Sequence, residues 1–198
     1  MQNFKFPLTF HFKIASIAND FVAYDADGEE VAYVRQKMLK FKEDIEVFKN
    51  ESRSQLIYRI KADRWIDFSA AYSFSDDKGS LLGKIGRKGW RSLWKAHYEI
   101  FDQHGQLKFN INEENAWVKV LDGLLGEIPI LGGLSGYLFN PAYLVTDVHD
   151  QVAVRLSKEP SFWGRKFVVE KLSGLEGHDD DNIVLGLMMM VLLERRRG

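Results

Sequence analysis

The sequence contains no cysteine, so it cannot build a disulfide framework, a thiolate zinc site, a cysteine nucleophile or an S-palmitoyl anchor. It also has almost no net charge, with 27 basic residues against 28 acidic ones and a balance of -1. That balance excludes a chain wrapped over its whole surface in nucleic acid or anionic lipid, and any electrostatic function must be local. A bilayer-spanning apolar run is missing too: Ile183 to Leu193 reaches about half of the roughly 20 residues that a spanning helix needs. Lys5, His11 and Lys13 interrupt the N-terminal stretch where a signal peptide would be continuously apolar. The expectation is neither a membrane span nor secretion, and a cytoplasmic location. With no low-complexity linker and no break in composition, the 198 residues read as one domain, 1–198, whose 45% hydrophobic and 13% aromatic content supplies a sizeable core.

What is present is organised around the tail, DDDNIVLGLMMMVLLERRRG. From Ile183 to Leu193 every position except Gly186 carries a large apolar side chain, so a helix over about 181–195 has no polar face and must be enclosed on all sides. Asp180, Asp181 or Asn182 can cap its start, and Arg195, Arg196 and Arg197 suit its negative end. Gly186 costs about 1 kcal/mol against alanine inside a helix, which predicts a close backbone contact there.

Upstream, the chain alternates. Phe4, Phe6, Leu8, Phe10, Phe12 and Ile14 share one parity, the pattern of a half-buried strand. A unit then recurs in which an aromatic residue stands four positions before an Asp that opens D-x-x-G: Phe21 with Asp25 and Gly28, Tyr72 with Asp76 and Gly79, Tyr98 with Asp102 and Gly105. Tyr143 with Asp147 repeats it, but Asp150 replaces the glycine. Asp bonds backbone two residues on and glycine accepts positive φ, so each copy reads as a hairpin turn. Asn50 to Ser54 marks another. Glycines and Pro129 punctuate the apolar segment 115–141, in which Trp117 to Leu125 fits one short helix. Four or five hairpins and one wholly apolar helix are reconciled by a mainly β fold, a closed antiparallel β-barrel around a central hydrophobic C-terminal helix.

The order of features resembles the LURP-one-related family, grouped with the tubby C-terminal domain and the phospholipid scramblases. The residues that carry the resemblance are NDFVAYDADGEEVAYVRQKMLKFKEDIEVF (19–48), GSLLGKIGRKGWRSLW (79–94), YLVTDVHDQVAVRLSKE (143–159) and the Asp-rich lead into the apolar tail. The resemblance implies a twelve-stranded barrel closed around the helix and, through the tubby branch, phosphoinositide headgroups as ligands. The absence of cysteine sets the chain apart from palmitoylated scramblases, and no acidic loop resembles their calcium segment.

The strongest candidate for function is GKIGRKGWRSLWK (83–95). Lys84, Arg87, Lys88, Arg91 and Lys95 place five cations with no acid among them, interleaved with Trp90 and Trp94. Positive charge with flat amphipathic rings suits phosphate-rich partners, either lipid headgroups at a membrane surface or nucleic acid. Arg35, Lys37, Arg165 and Lys166 enlarge the patch if they share its end of the barrel. The plain alternative is a solvated loop whose tryptophans pack on the barrel. Gly83, Gly86 and Gly89 miss the spacing of a phosphate loop, and Tyr137 stands where a hydrolase elbow around Ser135 needs glycine. His11, His97, His104, His149 and His178 lack ligand spacing, and helix-end electrostatics account for Asp179 to Asp181 without a metal. The expectation is thus a non-catalytic binding module for an anionic ligand such as a phospholipid headgroup, peripheral at the membrane, with no cofactor and no metal. The competing expectations are a regulator that binds nucleic acid or a protein partner through the same surface, and an enzyme whose pocket the sequence does not reveal.

Overall fold

A computed structural model describes residues 4–13, 19–36, 44–63, 70–88, 97–114, 142–159, 166–175 and 179–195. Alternating apolar residues separated by Asp-initiated turns give twelve strands in them: β1 (Leu8–Phe12), β2 (Phe21–Tyr24), β3 (Glu30–Gln36), β4 (Asp44–Phe48), β5 (Leu56–Asp63) and β6 (Ala70–Asp76), followed by β7 (Leu81–Lys88), β8 (His97–Asp102), β9 (Leu107–Glu113), β10 (Ala142–Asp147), β11 (Val152–Glu159) and β12 (Lys166–Lys171). Each strand pairs antiparallel with its neighbours in sequence, and β1 pairs with β12 to close the barrel. Among the described strands no sheet edge is left open. The helix α1 (Asp179–Arg195) follows. Its assigned start lies two residues before the expected one, so Asp180, Asp181 and Asn182 stand within the first turn rather than at the cap.

The four aromatic–Asp units have the same construction. In each, the Asp carboxylate accepts backbone N–H bonds from two and four residues on, as Asp76 does from Lys78 and Ser80 at 3.0 and 2.7 Å and Asp147 from His149 and Gln151 at 2.8 and 2.9 Å. The residue three after the Asp has positive φ: 78° at Gly28, 86° at Gly79, 79° at Gly105 and 63° at Asp150. Asp150 takes up the left-handed conformation at a cost of about 1 kcal/mol that glycine would avoid. Arg53, φ 57°, does the same in the Asn50 turn. A register shift adjoins every one of these turns, the bulge that a left-handed turn residue introduces. The N–H donors hold the carboxyls of Asp147 and Asp76 below the usual range, at both against the opposing effect of desolvation.

The aromatic four residues earlier faces inward: Phe21, Tyr72, Tyr98 and Tyr143 all belong to the core, which also takes Leu8, Phe10 and Phe12 from β1. The sequence alternation extends beyond β1 at both ends. Phe4 is buried and Phe6 half-buried ahead of the strand, while Ile14 lies outside the described residues, as does the Trp117 to Leu125 segment. Helix α1 occupies the axis. From Ile183 to Leu192, no apolar side chain is more than 2% exposed. At about 1.5–3 kcal/mol for each large apolar side chain, the helix contributes on the order of 15–30 kcal/mol of gross burial, an upper bound.

Two glycines set how closely the helix approaches β7 and β8. A Cβ on Gly186 would lie 2.8 Å from Ile100 Cδ1, so the close contact predicted at Gly186 is with a core side chain rather than with backbone. A Cβ on Gly83 would lie 2.6 Å from the Phe101 carbonyl oxygen and 2.7 Å from Asn182 Oδ1. Asn182 Nδ2 donates to the Leu82 carbonyl at 3.3 Å, tying the first turn of the helix to the start of β7. Tyr58 donates to Asp181 at 2.9 Å, Lys171 holds Asp180 at 2.8 Å, and Lys108 lies 3.8 Å from Asp179. Those three carboxylates are engaged in seating the helix.

Candidate anion-binding end of the barrel

Strand direction gives the barrel two unlike ends. The five short hairpin turns, together with the start of α1, lie at one end, the turn end. The other end, the connection end, is where strands are joined by residues 13–20, 37–43, 64–69, 89–96, 114–141 and 160–165, and where α1 terminates. Arg35, Arg87, Lys88 and Lys166 all stand at strand ends facing this connection end. They are spread around its rim, with β7 across the barrel from β3 and β12. Lys37, Trp90, Arg91, Trp94, Lys95 and Arg165 lie outside the described residues.

The expected basic loop begins later than the sequence reading places it. Lys84, Arg87 and Lys88 belong to β7, which runs through Lys88 because Gly83, Ile85 and Arg87 take the inward positions. Arg87 is consequently buried, its guanidinium 5.9 Å from the ring centre of Tyr98 on the next strand. Such a stacked cation replaces an apolar side chain at the barrel rim. Lys84 and Lys88 face outward and meet carboxylates, Lys84 with Asp63 at 3.4 Å and Lys88 with Glu99 at 2.6 Å. His97 Nε2 lies 3.6 Å from the same Glu99, and its Nδ1 is 2.6 Å from Asn112 Oδ1. Glu99 is 6% exposed although it faces outward, so Lys88 compensates a desolvated carboxylate. Asp63 and Glu99, the partners of Lys84 and Lys88, form no motif with them along the chain. Their signal is cross-strand register, which sequence spacing alone does not reveal.

Further cations of the wall also meet carboxylates on neighbouring strands. Arg155 bridges Glu114 at 3.1 Å and Glu170 at 3.3 Å, and these carboxylates raise the Arg155 pKa against the opposing effect of burial. Lys166 lies 2.7 Å from Glu159. Directly across from it, His11 is held below its ordinary value, first by burial and then by Lys166. Arg35 faces Glu46 across the β3–β4 ladder. Nearby, Tyr33 donates to Asp20 at 2.7 Å and its pKa is pushed up to about 12, chiefly by burial and then by that bond. Among the described residues, no three of His, Asp or Glu are grouped to hold a metal ion, and no helix is long and apolar enough to cross a membrane.

Topology adds one feature to the composition. All five tryptophans, Trp65, Trp90, Trp94, Trp117 and Trp163, fall in the sequences that join strands at the connection end. So do Lys37, Lys40, Lys42, Arg91, Lys95 and Arg165, and α1 terminates there ahead of Arg196 and Arg197.

The fold defines a class: an up-and-down antiparallel barrel plugged by its own C-terminal helix. Within it, residues 30–122, from β3 past the end of β9, match the family model described as LURP-one-related. No curated protein and no solved structure matches the chain.

Proposed function

We propose that this chain is a non-catalytic, tubby-like binding module whose connection end engages anionic phospholipid headgroups, so that the protein sits peripherally on a membrane surface. The observation that carries this reading is the collection of every tryptophan and several basic segments on connections leaving one barrel end. Tryptophan favours the membrane–water interface, where its ring is apolar and its N–H stays wet, and a Lys or Arg near an anionic leaflet contributes about 1 kcal/mol. The barrel interior is filled by apolar side chains and α1, so the reading places ligand contacts outside it. The ion pairs of Lys84 and Lys88 move the emphasis from β7 to Arg91 and Lys95.

Co-sedimentation with vesicles tests the proposal. The protein is expected to pellet with vesicles containing phosphatidylserine or phosphoinositide and to stay in solution with neutral phosphatidylcholine, and added salt should weaken the association. Replacing Arg91 and Lys95 by Glu should lower partitioning about 30-fold or more, from about 1 kcal/mol per lost cation before repulsion is added. Equal binding to neutral vesicles, or an unchanged variant, would sink the proposal. A shift of duplex DNA at salt that abolishes vesicle binding would favour the nucleic-acid alternative.

A further inference from the structure

Four of the five turns repeat one construction, and the β10–β11 turn departs from it twice. Directly after the initiating Asp the others carry Ala26, Asp77 and Gln103, and this one carries Val148, 54% exposed. Three residues after the Asp the others carry glycine, and this one holds Asp150 in the left-handed region at φ 63°. Neither choice serves the fold, since glycine would relieve the strain and a polar residue would suit water. On the other flank of β11, Leu172 follows β12 and is 56% exposed, its N–H donating to the Ala153 carbonyl at 2.8 Å. Val148 and Leu172 thus stand at the same end of β11, one on each side, and are the two most exposed large apolar side chains among the described residues. Leu81, the next most exposed, lies apart on β7.

The charge around this pair is negative. Asp102, Asp147 and Asp150 lie in the neighbouring turns, joined by Asp179 and Asp180 of α1, with His104 and His149 exposed among them. Both lysines of this sector are held by helix carboxylates, Lys108 by Asp179 at 3.8 Å and Lys171 by Asp180 at 2.8 Å. Arg155 is taken by Glu114 and Glu170, and Lys5, on the β1 side, by Asp27. The exposed cations Lys49, Arg53 and Lys61 belong to β5 and the turn before it, and β5 stands six strands from β11, directly across the barrel. Lys78 is in the β6–β7 turn, beside Asp76 and Asp77. We infer that the β10–β11 turn and Leu172 form a docking surface for a segment of a partner protein that carries apolar side chains among Lys or Arg. Its apolar side chains cover Val148 and Leu172, and its cations face the surrounding carboxylates. An anionic bilayer and a second copy of the same face are both repelled by those carboxylates. The surface shares no residue with the connections proposed to meet lipid, so the two readings stand or fall separately.

The probe is a short synthetic peptide of alternating leucine and lysine, added to the intact, isotope-labelled protein. Amide shifts in a nitrogen–proton correlation spectrum are expected to centre on Val148 to Gln151 and on Leu172 and Ser173, and to shrink with added salt. Peptides with glutamate in place of lysine, or serine in place of leucine, should leave those amides unmoved. Val148→Ser combined with Leu172→Ser should weaken binding about tenfold, because less apolar area is covered. Its thermal melt should be unchanged, since both side chains are exposed. Asp150→Gly should melt about 2–4 °C higher as the strain is relieved, and should bind the peptide less tightly. The shift map of the unaltered chain stands even if a variant does not fold. Shifts that centre instead on the acidic turns at Asp25 or Asp76, undiminished binding by the double-serine variant, or no shift at low salt overturns the inference. Broadening of the same amides by neutral phosphatidylcholine vesicles, with no response to the peptide, would make the surface a lipid contact and overturn it as well.

Discussion

A chain ending at Asp181 is expected to show no cooperative thermal transition and to bind hydrophobic dyes as a molten or aggregated species. The reason is the size of the core that α1 supplies. Its ten large apolar side chains contribute on the order of 15–30 kcal/mol of gross burial, more than the whole net stability of about 5–15 kcal/mol typical of a folded domain. Without the helix, the inward faces of β7 and β8, Ile85 and Ile100 among them, would line an empty lumen. A point substitution reaches the same end in the full-length chain. Met189 is fully buried on the axis, and Met189→Lys places an ammonium where nothing can solvate it, at a cost of several kcal/mol. Circular dichroism against temperature reads both. A sharp transition near that of the intact protein in either variant would show that the barrel stands without its post.

The second large effect belongs to Gly83. Alanine at that position puts a methyl group 2.6 Å from the Phe101 carbonyl oxygen, an atom of the neighbouring strand that cannot turn aside. The methyl also meets Asn182 Oδ1 at 2.7 Å, a buried atom with no hydrogen-bond partner among the described residues. Over-packing against backbone falls at the upper end of the usual 1–3 kcal/mol range. At about 3 kcal/mol, a chain of this size should melt about 6–12 °C lower. Gly186→Ala supplies the contrast. Its new methyl would meet the δ-methyl of Ile100, the end of a side chain, and alanine returns about 1 kcal/mol of helix propensity. Urea denaturation should therefore rank Gly83→Ala as clearly the more damaging of the two. The reverse order would mean that the seat of α1 against β7 is looser than described.

The parts of this architecture that were legible in the sequence are those with a strong local signal. Ile183 to Leu193 has no polar face, so enclosure followed from composition alone. The turns at Asp25, Asp76, Asp102 and Asp147 were visible because their backbone bonds need that side chain. The continuation of β7 to Lys88 was not legible, since Gly83 and Gly86 blur the alternation and an inward arginine mimics a solvated one. Arg87 is tolerated because Tyr98, its neighbour across the ladder, offers a ring face. Cross-strand register also hid the partners of the basic stretch: Glu99 reaches Lys88 across an intervening connection, and Asp63 reaches Lys84 from β5. The segregation of tryptophan and basic residues to one barrel end appears only after strand directions are assigned, because the five tryptophans lie as far apart in sequence as Trp65 and Trp163.

The central structural feature is a helix that forms the core of the barrel. Native-state amide hydrogen exchange reads this directly in the intact protein. The amides of Leu187 to Val191 should exchange only through global unfolding, with the same protection free energy as those of Ile100 in β8 and Val154 in β11. Helix amides that exchange orders of magnitude faster than the strand amides, at a rate indifferent to global stability, would contradict it.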